Sequence, residues 1–386
     1  MGNITILGAG ITGLATAWIL RSKGHTVTII ARDLPPKDGQ PIDLDTASKD
    51  WASPWAGAFY MPDINTTPQQ RRMQALTLPH LLRLADADAA SSSTNSINNS
   101  SSSSIRRIPI DDMRDDGARL ADVWYAAHVP GFAAMPAAEL PAGCTLGVRW
   151  QTVVLQPAVL LPWLRARLEE EGGELGGRPV RFVRREVRSL EEAVGAVGAA
   201  PCDVLVNAAG NGARDLLLPS SSTFPAGDGN GGEKAKMQPV RGQTHVVRTG
   251  WDRVFMRQGS QYTYCIPRLD GTAVVGGVKG AGADDVDPRV SEDQRTDIFG
   301  RVGDNLPHVF AAFPADFDVV RDNVGFRPGR EGGPRVEREV VGDTGLKVVH
   351  AYGVSGSGYG YSFGLGEVVS EMVDEFLLDS PSKAKL

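Results

Sequence analysis

The sequence predicts an α/β fold, in which a Rossmann-like nucleotide-binding domain is interleaved with a second, α+β domain built on an antiparallel sheet. Three observations carry this. A β-branched run at residues 3–7 ends in Gly8-Ala9-Gly10-Ile11-Thr12-Gly13 and passes into helically spaced apolar residues at 14–20. A second glycine-rich turn between strand and helix, residues 353–360, lies near the C-terminus. Between the two lie alternating or apolar runs joined by short turns such as Asp270-Gly271, as expected of antiparallel strands.

The opening turn has a physical logic. Gly8 turns the chain sharply off the strand. Gly10 lets a pyrophosphate approach the backbone, and Gly13 lets the helix pack closely. The helix N-terminus offers unpaired N–H groups and a positive dipole end to phosphate. A second strand at 26–30 ends at Arg32-Asp33, with Asp33 twenty positions beyond Gly13, where an acid meets the ribose hydroxyls of an adenine dinucleotide. Arg32 leaves two readings open: a partner for a 2′-phosphate, or a cover for the adenosine.

Further along, Ala52-Ser53-Pro54-Trp55-Ala56-Gly57 is a small-residue stretch suited to close backbone approach. Residues 68–84 have helical spacing. Residues 91–104 are nearly all Ser and Asn, an insertion too polar to order itself by burial. A strand is expected at 148–154. Pro157 opens a helix through Leu168, Pro being at home in a first helical turn. Strands follow at 181–183 and 202–207, the latter running into Ala208-Ala209-Gly210. Antiparallel strands are expected at 243–248, 262–268 and 272–278, a strand at 346–352 and a closing helix at 367–378. The expected division is a nucleotide domain from residues 1–60, 148–215 and 320–386, and a substrate domain from 61–147 and 216–319.

The chain has 386 residues, 41% hydrophobic and 22% charged, with a net charge of −6, an ordinary composition for two globular domains. The acidic balance and lack of a basic patch argue against nucleic acid as a partner. Neither a membrane-length apolar run nor a signal-peptide pattern is present. Cys144, Cys202 and Cys265 are scattered without a CxxC, so neither a metal site nor a disulfide framework is expected. The chain ends in Ala384-Lys385-Leu386, a close variant of the Ser-Lys-Leu peroxisomal address, which implies an import receptor as partner and a peroxisomal matrix location.

Taken together these motifs resemble the D-amino-acid oxidase and D-aspartate oxidase family over nearly the full length. The resemblance rests on the opening turn, Ala31-Arg32-Asp33-Leu34-Pro35, Ala52–Gly57, Val206-Asn207-Ala208-Ala209-Gly210, Tyr264-Cys265-Ile266-Pro267-Arg268, Gly276-Gly277, Val324-Gly325-Phe326-Arg327-Pro328 and His350-Ala351-Tyr352-Gly353. It implies non-covalent FAD, held by residues 8–13 with Arg32, Asp33, Ala52, Ser53, Ala56, Gly57, Val187, Ala209, Gly210, Arg327, Gly356, Ser357, Gly358, Tyr359 and Gly360. It also implies oxidative deamination of a D-amino acid by hydride transfer to flavin N5, with molecular oxygen reduced to hydrogen peroxide. Arg327 and Tyr264 are the implied catalytic pair, Arg327 forking onto the substrate α-carboxylate and Tyr264 adding a hydrogen bond. The Gly356 carbonyl would accept a substrate N–H.

The resemblance also implies a lean to acidic substrates, D-aspartate or D-glutamate: Arg257, seven positions before Tyr264, stands where the D-aspartate branch of the family carries an arginine, and Lys279, after Gly276-Gly277-Val278, stands where that branch carries a second. A buried second carboxylate needs such partners. Preference for neutral D-amino acids, or breadth, is the alternative. An NAD(P) dehydrogenase using Arg32 and a non-catalytic nucleotide-binding module are further, less supported readings. A homodimer is compatible with all of these, and the sequence leaves oligomeric state open.

Overall fold

The structure is a computed structural model that describes residues 1–37, 39–92, 102–198, 201–216, 236–278, 280, 286–310, 317–341 and 344–379. Most of the Ser/Asn-rich stretch, Lys279 and the terminal tripeptide lie outside the described residues.

Two sheets organise the chain. The first has six strands, β1 (Asn3–Leu7), β2 (Thr26–Ala31), β6 (Arg181–Arg184), β7 (Val204–Asn207), β13 (Arg335–Val341) and β14 (Leu346–Tyr352), in the order β13-β14-β7-β1-β2-β6. The inner strands are parallel and buried on both faces, which is why they read as continuous apolar runs. Only β13, at one edge, is antiparallel. Helix α1 (Ile11–Ser22) leaves the end of β1, and α6 (Gly358–Leu378) leaves the end of β14 after a single 3-10 turn. Both glycine turns therefore open at the same end of one sheet.

The second sheet has eight strands in the order β12-β8-β11-β10-β9-β3-β5-β4: β12 (Val319–Arg330), β8 (Met237–Arg248), β11 (Thr272–Gly276), β10 (Thr263–Pro267), β9 (Val254–Gln258), β3 (Ile105–Arg114), β5 (Leu146–Leu155) and β4 (Ala133–Ala134). All neighbours are antiparallel except β3 and β9. One face packs towards the first sheet. The other is covered by α5 (Glu292–Asn305), whose Ile298, Phe299 and Val302 bury against Val247, Phe255, Cys265 and Val275. The Ser291 hydroxyl caps α5 by accepting from the Gln294 amide at 3.3 Å.

Three expectations are corrected. The strand at 148–154 and the residues from 320, both assigned to the nucleotide domain, pair within the eight-stranded sheet: β5 with β3 over ten positions, and β12 with β8. Strand pairing is a tertiary choice that local pattern does not encode. The closing helix begins at Gly358, not 367, because its glycines are packing devices. A Cβ at Gly364 would collide with the Met73 carbonyl of α2 (Pro68–Ser92), and one at Gly366 would lie 3.1 Å from the Ala15 carbonyl of α1. Close helix contact thus offsets a helix-propensity cost of about 1 kcal/mol per glycine. Helix α2 also runs on past its apolar stretch, through Pro79 to Ser92. No described helix is long and apolar enough to cross a membrane.

Candidate active site

A cavity of about 1050 Å3 runs between the two sheets, from the end of β2 to the facing surfaces of β8–β12. At one end the three opening glycines each clear a different obstruction. Gly8 has φ +110°, and a Cβ there would collide with the Ala208 carbonyl at the end of β7. A Cβ at Gly10 would lie 2.9 Å from the Ser53 hydroxyl, and one at Gly13 would collide with the Gly8 carbonyl. Gly13 is accordingly absent from the cavity wall and closes the turn from behind, whereas Gly8, Ala9, Gly10, Ile11 and Thr12 line it. The Ser53 hydroxyl accepts from the Ile11 amide at 2.9 Å. Otherwise α1 starts with no side-chain cap and no acid in its first turn, leaving its dipole end open to an anion.

Arg32 and Asp33 lie at this same end and bind each other, with Arg32 Nε donating to Asp33 at 2.9 Å. Ala52, Ser53, Ala56, Gly57, Val187, Ala209 and Gly210 complete the wall along the middle. Residues 356–360 at the start of α6 face them, and the Tyr359 hydroxyl donates to the Ser53 carbonyl at 3.0 Å, tying the two glycine-rich turns together. Two buried polar atoms in this wall, Trp51 Nε1 and Asn211 Oδ1, find no hydrogen-bond partner among the described residues. The other arm of Asn211 is engaged: its Nδ2 donates to the Phe326 carbonyl at 2.9 Å.

The opposite end is built by Tyr264 on β10 and Arg327 on β12, which both line the cavity, the Arg327 guanidinium acting on the Tyr264 phenol. Neither strand touches the other, so β8 and β11 must bring them together. They do so through glycine. Tyr264 pairs with Gly276, and its ring lies where a Gly276 side chain would be. A Cβ at Gly242 would come 2.8 Å from Arg327 Nη2. Burial pushes the Tyr264 pKa up, opposed by the Arg327 charge, so the phenol stays protonated. A protonated phenol on the cavity wall can donate to a ligand. Arg327 Nη2 also donates to the Val278 carbonyl at 3.2 Å. Gly356 lies against Arg327, with its Cβ position 3.5 Å from Arg327 Cδ. Tyr262, Met256, Gln258 and Val278 finish this end. Among the described residues, the cavity wall carries no histidine, cysteine or lysine.

Arg257 corrects the sequence reading. Side chains alternate along β9, so Met256 and Gln258 face the cavity while Arg257 faces α5. It is 5% exposed and fully engaged: Nη2 meets Asp115 at 3.1 Å and the Ala142 carbonyl at 3.0 Å, and Nη1 donates to Asn305 at 2.9 Å. Asp115 in turn accepts the Ser260 amide at 2.6 Å. The side chain pins the β9–β10 turn and offers nothing to a bound molecule in the cavity. Lys279, its expected companion, lies outside the described residues.

The family model for FAD dependent oxidoreductases matches residues 3–372. The chain belongs to that family. It is 32% identical to a D-aspartate oxidase of Talaromyces thermophilus, covering 96% of this chain and 95% of that one. It is 28% identical to a D-amino-acid oxidase of Schizosaccharomyces pombe, covering 95% of each. Among solved structures, iminodiacetate oxidase from Chelativorans sp. BNC1 superposes with a TM-score of 0.66 at 18% identity, over 100% of this chain and 97% of that one, a likeness of fold.

The residues present fit FAD. The uncapped α1 terminus and the bare backbone at Gly8 and Gly10 suit its pyrophosphate, Arg32 and Asp33 its adenosine, and the unpartnered Trp51 and Asn211 atoms supply donor and acceptor to a polar ligand along the wall. Sequence reasoning missed Tyr262, whose ring meets Tyr264 edge-on at 5.8 Å. It missed Gly242 too, which no local pattern marks.

Proposed function

We propose that this oxidoreductase converts free D-amino acids, with oxygen and water, to 2-oxo acids, ammonia and hydrogen peroxide. The observation that carries this is the Arg327–Tyr264 pair at the end of a nucleotide-sized cavity, a fork and a phenol converging where one carboxylate would sit. FAD, when bound, would supply the acceptor for the hydride leaving the substrate Cα, which carries both electrons of the oxidation. The protein's part is orientation. Arg327 and Tyr264 would fix the carboxylate, the Gly356 carbonyl on the same wall would accept from the amine, and the apolar flank of Met256 and Val278 would keep water away. Hydride departure from Cα requires the amine to be neutral, so that its nitrogen lone pair can form the imine double bond. Handedness is inferred from the D-specific names of the curated relatives. Purified protein with FAD should release peroxide from D- and not L-amino acids; absence of turnover across a D-amino-acid panel would reject the reading.

A preference for acidic side chains is a second reading. The 32% identity to a D-aspartate oxidase and the cation at position 279 support it. The loss of Arg257 from the cavity and the flank of Met256, Tyr262 and Val278 weigh towards neutral or broad use. The ratio of kcat/KM for D-aspartate over D-alanine, in the parent and in Lys279→Met, separates them: a ratio above one that collapses in the variant favours the acidic preference. Import into peroxisomes through Ala384-Lys385-Leu386 belongs to the same proposal, since peroxide is best made where it is destroyed. A fluorescent fusion should lose punctate localisation when those three residues are deleted.

A further inference from the structure

The β10–β11 ladder ends at the pair Tyr264↔Gly276. Just beyond it a side chain from another element engages the Tyr262 and Gly277 carbonyls. Arg301, on α5, donates Nη1 to the Tyr262 carbonyl and, at 3.1 Å, to the Gly277 carbonyl. Its Nη2 and Nε are held by Asp297 one turn earlier, at 2.6 and 3.2 Å. The next carbonyl along, Val278, accepts Arg327 Nη2 at 3.2 Å. Two guanidiniums therefore grip successive carbonyls of one short segment, Arg301 from the α5 side and Arg327 from the cavity side. The Gly276-Gly277 pair explains how. Gly276 makes room for the Tyr264 ring, and a Cβ at Gly277 would lie 2.6 Å from Arg301 Nη1 and collide with the Tyr262 carbonyl. The Arg301 charge also acts on Tyr264, opposing the upward push of burial.

We propose that Arg301 is a positioning residue of the substrate site: by stapling the Tyr262 and Gly277 strand ends it holds Tyr264 and Arg327 at the spacing that meets one carboxylate. This rests on the carboxylate-binding reading given above. A guanidinium is required because two carbonyls and a carboxylate need several donors in fixed directions, which an ammonium does not supply.

The test uses FAD-loaded protein and two probes, D-amino-acid kinetics and titration of propionate, an unreactive carboxylate, followed by the flavin absorption. Arg301→Lys keeps the charge and loses the fork. It should raise KM and the propionate Kd roughly tenfold, in line with the sensitivity of bound geometry to small displacements, with kcat and FAD content held. Arg301→Met should do the same or more. In an Arg327→Ala background Arg301→Lys should add little, because its effect passes through Arg327 and Tyr264. A parental KM and propionate Kd in Arg301→Lys, or a fully additive effect on top of Arg327→Ala, would overturn the proposal. If Arg301→Met does not fold, Arg301→Lys alone decides. Failure of the underlying reading is separately visible: Arg327→Ala would then itself leave propionate binding unchanged.

Discussion

The two ends of the cavity are made in opposite ways. The nucleotide end is written in one short motif: Gly8, Gly10 and Gly13 stand within six positions, and they clear the Ala208 carbonyl beside β7, the Ser53 hydroxyl and the Gly8 carbonyl. The substrate end is assembled from β9, β10, β11, β12 and α5, and its two principal groups sit on strands that do not touch. A site written in one run of residues is legible as a motif. An assembled site depends on residues far away in sequence that never contact substrate.

That contrast can be broken from either end. The largest effect is expected at Arg327. Replacing it with alanine removes a charge-assisted fork and leaves the substrate carboxylate unpaired, so kcat/KM for a D-amino acid should fall about a thousandfold, ~4 kcal/mol. Arg257 should behave as its opposite. Arg257→Met strands Asp115, itself only 6% exposed, and should cost about 3 kcal/mol of stability in a denaturant titration, yet leave the ratio of D-aspartate to D-alanine turnover at its parental value. A changed ratio would restore Arg257 to the substrate site. At the nucleotide end, Gly13→Val forces a side chain onto the Gly8 carbonyl and should weaken FAD about a hundredfold, roughly 3 kcal/mol by affinity arithmetic, as read by equilibrium dialysis. Tyr264→Phe keeps the ring over Gly276 and loses only the hydroxyl, so kcat/KM should fall about tenfold, near the value of a single hydrogen bond to a charged group.

The smallest effect concerns pH. His350 on β14 is fully buried behind the cavity, its Nε2 2.9 Å from Glu339 and its Nδ1 3.4 Å from Asn207. Burial lowers its pKa, with Arg335 acting in the same direction and Glu339 against it. His25 and His245 are lowered by burial as well. A histidine with a depressed pKa stays neutral in the fold while the unfolded chain protonates below about 6.5, so these groups cost stability as pH falls through that value and add no slope above it. The unfolding midpoint should hold from pH 8 to 7 and drop between 6.5 and 5.5. His350→Gln should flatten part of the drop.

Much of this was open to sequence reading, for reasons visible in single residues. The parallel core strands announced themselves because burial on both faces forces unbroken apolar runs, as at 204–207. The opening turn was legible because its glycines fall in one short run between a strand and a helix, even though two of them make room for residues far away in sequence, Ala208 and Ser53. Arg257 was misread for an equally physical reason: strand alternation decides which face a side chain takes, and a family resemblance at one position does not carry the one-residue register that separates Arg257 from Met256. Helix α5 escaped notice although its Ser291 cap and acidic first turn are present, because its apolar stripe is short.

What the sequence determined by itself was the nucleotide end and the class of fold, since both are written in contiguous residues or in a motif; the candidate carboxylate pair came from the resemblance. What only the tertiary structure decided was membership of β5 and β12 in the second sheet, the turning of Arg257 away from the cavity, and the convergence of Arg301 and Arg327 on one segment. Those outcomes depend on which strands pair and which faces bury, and hydrogen-bond ladders between distant segments are settled by the packing of the whole chain, not by the residues on either side of the bond.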